Sequence, residues 1–300
     1  MSPEVSERVF EESIECALLQ GGPDACLEPP GAVREAGAAY GDDVPGGYRK
    51  RIPADYDRAL CLLPRDALDF ILATQPKEWE RLKEHHGVEV RDRFLRRLSQ
   101  EIAQRGSLDV LRNGVKDSGC KFALAYFRPS SRLNVELQRF HAANIFAIVR
   151  QLRYSEKNEK TLDLVLFLNG LPIFTAELKT PLTGQTVEDA IRQYKTDRDS
   201  REPLFAHGRC LGHFAVDPEM VYVTTRLAGP ATRFLPLNQG KFGGAGNPPI
   251  PPTQNGYPTT YLWEQIWSRD SVLDLVRQFI HEVDEEDPAG RITGRRTLIF

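Results

Sequence analysis

Asp163, Glu177 and Lys179 are the residues of this chain whose types and spacing most suggest chemistry. Each interrupts an otherwise apolar run in the stretch TLDLVLFLNGLPIFTAELK, residues 161–179. Two carboxylates and an ammonium converging at a strand end suit the holding of a hard divalent cation while water attacks a phosphodiester. The carboxylates supply oxygen ligands, the cation takes up charge on the phosphorane oxygens, and the lysine orients or helps deprotonate the water. The competing explanation is an edge hairpin whose solvent face carries charge, an ordinary event in a chain that is 27% charged.

The elements that must position these residues follow from parity, because side chains in a strand alternate faces. Leu162, Leu164, Leu166 and Leu168 form one face of the first run; Thr161, Asp163, Val165 and Phe167 form the other. In the second run Pro172, Phe174, Ala176 and Leu178 alternate with Ile173, Thr175, Glu177 and Lys179. Directly opposed residues of an antiparallel pair point the same way, so a two-residue Asn169-Gly170 loop would mix the faces and set Asp163 against Ala176. The pattern predicts instead a three-residue turn, Leu168-Asn169-Gly170, with Gly170 left-handed as a bulge. Phe167 then pairs with Leu171, and Asp163 pairs with Thr175, diagonal to Glu177.

The totals bound the rest. At 300 residues and 41% apolar content the chain can build one elaborated domain, or one core with a helical appendage. A net charge of −3 gives no global field to attract nucleic acid, so any contact with it needs a local basic surface or a partner that delivers it. Cys16, Cys26, Cys61, Cys120 and Cys210 are odd in number and scattered, without a C-x2-C pair, and are expected to be reduced thiols of a cytoplasmic protein. No apolar run approaches the roughly 18 residues of a membrane span, and the N-terminus has no secretory pattern.

Along the chain, residues 5–20 carry Val9, Phe10, Ile14, Ala17 and Leu18 on one helical stripe, with Glu11, Glu12 and Glu15 read as its solvated side. Residues 24–53 read as an irregular connection containing the basic cluster Tyr48, Arg49, Lys50 and Arg51. Helices are predicted over 64–74, 76–86, 89–105, 107–112, 134–143, 186–198 and 271–283, and strands over 121–127, 144–154, 212–217 and 220–226. Arginines interleaved with acids on the third of these helices favour a salt-bridged surface over a nucleic-acid track. The closing RRTLIF reads as a strand-like run with no partner.

The order of strand, charged hairpin, amphipathic helix and strand pair resembles the PD-(D/E)xK nuclease core. The wording FEESIECALL, NIFAIVRQLRYSEKNEKTLDLVLFLNGLPIFTAELKTPLTGQ, AIRQYKTDR and FAVDPEMVYVTTRL resembles the N-terminal nuclease region of the R subunit of type I restriction-modification enzymes, most closely over residues 144–227. The resemblance implies an α/β fold with a restriction-endonuclease-like mixed sheet flanked by helices and a helical N-terminal elaboration. It implies a division into an elaboration (1–120), a nuclease core (121–287) and the start of a connection to a motor domain (288–300). It also places the metal-binding carboxylates on Asp163 and Glu177, the lysine on Lys179, and a first-helix glutamate on Glu11, with Glu15 as the other choice. Mg2+ is the implied cofactor. ATP would be used only by motor domains outside these residues, which contain no Walker A motif.

Relatives carry Q-x-x-x-Y on the helix after the lysine. Here Tyr194 fits, Ala190 stands where the glutamine belongs, and Gln193 precedes the tyrosine, so Gln193, Tyr194 and the neighbouring Arg192 are the candidate site-supporting residues. Leu162 replaces the proline of the motif. The implied substrate is double-stranded DNA, and the implied partners are methylation and specificity subunits, with no membrane association. Two other readings remain: the nuclease module of a different DNA-processing helicase, and a DNA-holding or docking domain of the same fold without cleavage.

Overall fold

The hairpin predicted from parity lies in the middle of a seven-stranded mixed sheet, in a computed structural model that describes residues 3–26, 47–130, 133–241, 244–251, 256–286 and 292–299. Its strands are β5 (Thr161–Leu168) and β6 (Leu171–Leu178). On one side lie β4 (Phe146–Arg153) and, at the edge, β1 (Arg49–Arg51). On the other lie β7 (Gly212–Val216), β8 (Val221–Thr224) and β9 (Leu235–Pro236), giving the order β1-β4-β5-β6-β7-β8-β9. The β1–β4 and β6–β7 pairs are parallel and the rest antiparallel. This is the α/β architecture expected, a mixed sheet flanked by helices.

The helices cover both faces. One face packs on α1 (Pro3–Leu19), α2 (Pro64–Thr74), α3 (Pro76–His86), α4 (Val90–Arg105) and α5 (Ser107–Asn113), in a core containing Phe10, Phe70, Phe94, Phe146, Phe174 and Trp267. The other face buries Tyr56, Val149, Leu162, Phe167, Tyr194 and Phe205, partly beneath α7 (Val187–Thr196). Helix starts obey their local chemistry. Pro64 and Pro76 occupy first helical positions, where a missing N–H is harmless; Asn134 caps α6 (Val135–Ala142) by accepting Leu137 N at 3.0 Å; and Thr186 with Asp189 forms a capping box on α7. The arginine-rich α4 is tied by Arg93–Glu89, Arg97–Glu101 and Arg105–Glu101 pairs, the salt-bridged surface expected.

The turn differs from the prediction. Leu168 pairs with Leu171, so the loop is the two-residue Asn169-Gly170, with φ of 50° and 80° at the two positions. Such paired positive angles match the strand twist, and Asn-Gly is well suited to adopt them. Parity is restored beyond the loop: the register shifts after the Phe167–Pro172 pair, Leu166 faces Phe174, and Ile173 is the extra residue. Leu171 and Ile173 consequently share the core with Phe174, Ala176 and Leu178. The pairs Val165–Thr175 and Leu164–Ala176 follow, and one more step sets Asp163 across from Glu177, not from Thr175.

Other expectations are corrected too. Residues 27–46 of the anticipated irregular connection lie outside the described residues. The basic cluster after them forms β1, with Tyr48 buried, Lys50 paired to Glu15 and Arg51 to Asp66. The strand expected over 121–127 is only β3 (Cys120–Phe122), paired with β2 (Val115–Asp117). Helix α8 (Arg269–Asp274) continues through one wider π turn, and the chain then extends into β10 (Ile280–Glu286). The closing residues do have a partner: β11 (Ile292–Ile299) pairs antiparallel with β10. Cys16 and Cys26 form a disulfide, since the turn after α1 folds back over its last turns; Cys61, Cys120 and Cys210 are free and buried. Among the described residues no helix is long and apolar enough to cross a membrane.

The tip of the hairpin is buried. Gly170 lies so close to the start of α2 that a Cβ there would meet Leu63 O at 2.5 Å and Ala67 N at 2.8 Å. Gly170→Ala is therefore expected to cost roughly 2 kcal/mol or more, from strain at a positive φ plus backbone collision. Urea melts check this; a change under roughly 0.5 kcal/mol, the scale of an ordinary surface substitution, would contradict the packing described.

Candidate active site

The open end of the hairpin, opposite its buried tip, brings Asp163, Glu177 and Lys179 together with α1 and α7. All three are buried, Glu177 completely. Asp163 Oδ2 accepts the backbone N–H of Leu178 at 2.7 Å, which ties the start of β5 to the end of β6. Its Oδ1 accepts from Gln151 Nε2 at 3.2 Å, and the same amide donates to Glu11 Oε1 at 2.8 Å. Gln151 can serve both because β4 is distorted there: its φ is 49°, and the rung between the Arg150–Leu164 and Leu152–Leu162 pairs is missing.

Glu177 faces α7. Its Oε1 accepts Arg198 Nε at 2.6 Å and its Oε2 accepts Gln193 Nε2 at 2.9 Å. Lys179 Nζ lies 3.2 Å from Glu7 of α1. The same helix sends Glu11 to Arg150, at 3.0 Å from a terminal nitrogen, and Glu15 to Arg150 and Lys50, at 3.2 and 2.9 Å. Glu11 and Glu15 are therefore buried partners of the sheet, contrary to their reading as the solvated side of α1, while Val9 of the expected apolar stripe is exposed.

The electrostatics show negative charge crowded around Asp163. Burial first, and then the Asp163 carboxylate, push Glu11 up to about 7 against the pull of Arg150 and Gln151. The same two causes push Glu177 well above the usual carboxylate range, opposed by Arg198 and Lys179. Among the described residues no group of three or more His, Cys, Asp or Glu side chains converges closely enough to enclose a metal. The donor chemistry nevertheless fits Mg2+, which typically takes one or two carboxylates and completes its shell with water and substrate phosphate. The upward push that Asp163 exerts on both Glu11 and Glu177 is also the signature of charge that a cation would relieve.

The three residues of the α7 motif part company. Gln193 reaches Glu177, as above. Tyr194 is fully buried and bonds Thr175 at 2.8 Å; Thr175 in turn lies 2.8 Å from His213 Nδ1, whose imidazole burial pushes down to about 3, so it stays neutral. Tyr194 thus ties α7 to β6 through Thr175. Arg192 is exposed, pairs with Asp189, and lines with Lys179, Gln185, Gln193, Thr196 and Asp197 a polar cleft of about 180 Å³.

Sequence reasoning missed Arg198, Gln151, Arg150 and Glu7. For Arg150-Gln151 a signal existed: two consecutive polar residues break an apolar strand where it passes Asp163. Arg198 gave none, because as the closing residue of the helix expected over 186–198 it reads as an ordinary cation of a last turn.

The sequence profile described as the type I restriction enzyme R protein N terminus matches residues 67–232. A Methanocaldococcus jannaschii protein described as a type I restriction enzyme endonuclease subunit (MjaIXP) is 32% identical over 78 residues, a match taking in 26% of this chain and 7% of that protein.

Glu11 has a pH consequence. Its folded-state value near 7 exceeds the unfolded value of 4.5, so the folded protein binds this proton more tightly. The stability it contributes is complete below the unfolded value and is lost as pH rises toward 7. In chelator-containing buffer, wild type is expected to lose stability relative to Glu11→Gln between pH 5 and 8 on this basis. Parallel stability curves for the two proteins would remove the burial argument.

Proposed function

Given that this chain belongs to the family of type I restriction enzyme R protein N-termini, we propose that it is a Mg2+-dependent endonuclease domain that hydrolyses phosphodiester bonds of double-stranded DNA. The observation that carries this reading is the meeting of Asp163 and Glu177 at facing strand ends, both buried, with Asp163 raising the affinity of Glu177 for a proton and Lys179 two residues on.

Asp163 and Glu177 would hold the cation, with Glu11 close enough to share its charge through Gln151. Bound there, Mg2+ supplies charge stabilisation for the phosphorane oxygens and an acidified water. The remaining work falls to side chains of the chain itself. Lys179, which lines the polar cleft, orients the attacking water and stabilises negative charge on the scissile phosphate once it leaves Glu7. Gln193 occupies Oε2 of Glu177 when no cation is bound, and Arg192 offers a guanidinium at the cleft rim for a backbone phosphate. The division of the chain into an elaboration (1–120), a nuclease core (121–287) and a connection (288–300) belongs to the same proposal. So do ATP-driven translocation by motor domains outside these residues, assembly with methylation and specificity subunits, and work in the cytoplasm. Delivery of DNA by such partners fits a domain whose net charge is −3.

Two measurements test the proposal. Calorimetry should show Mg2+ or Mn2+ binding to wild type and none to Glu177→Ala; equal binding by both removes the site assignment. In the complete enzyme, Lys179→Ala should reduce plasmid cleavage by roughly 100-fold or more while ATP hydrolysis persists. Cleavage that survives the substitution would point to a DNA-holding role for this domain, with the nuclease elsewhere.

A further inference from the structure

Arg198 lies just past α7 with its side chain only 3% exposed, against a Glu177 side chain that is wholly buried. Its Nε donates to Glu177 Oε1 at 2.6 Å, and a terminal nitrogen lies 2.6 Å from the same oxygen. That terminal nitrogen also donates to the carbonyl of Thr161 at 2.6 Å. The guanidinium stacks over the Tyr154 ring at 5.5 Å, with its other terminal nitrogen 3.4 Å from the tyrosine hydroxyl. One planar group therefore touches the residue just past β4, the start of β5, which carries Asp163, and the end of β6, which carries Glu177.

Resting on the metal reading above, we infer that Arg198 is a positioning residue of the cation site. It clamps Oε1 of Glu177 and braces β5 against β6, so that Glu177 offers a divalent cation one oxygen, Oε2. The two oxygens are held unequally. Oε1 faces a buried guanidinium fixed on three sides, whereas Oε2 accepts a single bond from the neutral amide of Gln193, whose side chain can turn aside. A cation arriving at Glu177 displaces Gln193 and leaves Arg198 in place. Lysine cannot replace the arginine, because one ammonium on a flexible stem lacks the planar fork that meets Glu177 and Thr161 together.

The test uses Mn2+ as the probe and the full chain as the sample. Arg198→Lys and Arg198→Gln should unfold cooperatively, yet bind Mn2+ roughly 10- to 100-fold more weakly than wild type, the usual loss when a side chain orienting a metal ligand is removed. The rise in Tm produced by a fixed Mn2+ concentration should shrink in step, a readout that a purely structural role would leave intact. Gln193→Ala should bind Mn2+ more tightly than wild type, because no amide then competes for Oε2 of Glu177. The inference is overturned if Arg198→Lys binds Mn2+ as wild type does, if Gln193→Ala loses as much as Arg198→Lys, or if neither Arg198 variant folds, which would make the residue part of the scaffold. Absence of Mn2+ binding by wild type itself, or normal binding by Glu177→Ala, overturns instead the metal reading on which this inference rests.

Discussion

Crowding three carboxylates into a buried strand end is the constraint on which the rest of this structure depends. Glu11, Asp163 and Glu177 come from α1, β5 and β6, and burial of each charge costs several kcal/mol unless donors match it. Arg150 answers Glu11, Arg198 answers Glu177, and Gln151 with the Leu178 amide answers Asp163. These matches also fasten the layers together. Helix α1 is held to one face by Glu11 and Glu15 on Arg150 and by Glu7 on Lys179, and α7 is held to the other through Gln193, Arg198 and Tyr194. The same residues that concentrate charge for chemistry therefore supply the polar joints of the fold. Apolar packing would make either helix adhere, but these joints set where each one stops.

Topology makes this possible. A parallel β6–β7 pair needs a crossover, and α7 is that crossover, so the residue after Lys179 begins the path to the very helix that returns to cover Glu177. The distortion at Gln151 lies at the β4 rung that would face Asp163, and there the Gln151 amide joins Asp163 to Glu11 of α1.

Much of this was legible in the residues. Helices expected from residues 64, 76, 134 and 186 begin at Pro64, Pro76, Val135 and Val187, since the prolines, the Asn134 cap and the Thr186–Asp189 box that start them are local. Parity correctly required a bulge in the hairpin but misplaced it. Alternation says that one extra residue is needed, and only the preference of Asn169-Gly170 for a two-residue turn shows that Ile173, not Gly170, supplies it. The burial of Glu11 and Glu15 was hidden because a glutamate on a helix reads as solvated until its cationic partners are known, and Arg150 and Lys50 lie far along the chain. The Cys16–Cys26 bridge and the β10–β11 pair were missed for a related reason. One depends on how a turn folds back, and the other on a partner strand whose first residues were counted into a helix.

The buried hairpin tip has one more implication. Asn169 accepts the Ile145 N–H at 2.6 Å and donates to the Leu124 carbonyl and the Asn144 side chain, while Gly170 O accepts the Leu63 N–H at 2.9 Å. The hairpin is thus built as a cantilever, rooted at its turn and carrying its charges at the far end. A strand in such a beam cannot slide by two residues without dragging Asn169 and Gly170 out of four separate engagements, so the alignment of Asp163 with Glu177 is enforced from some six residues away. Amide hydrogens at the turn should be the last of the hairpin to exchange with solvent, and those around Leu178 the first to respond to whatever binds there.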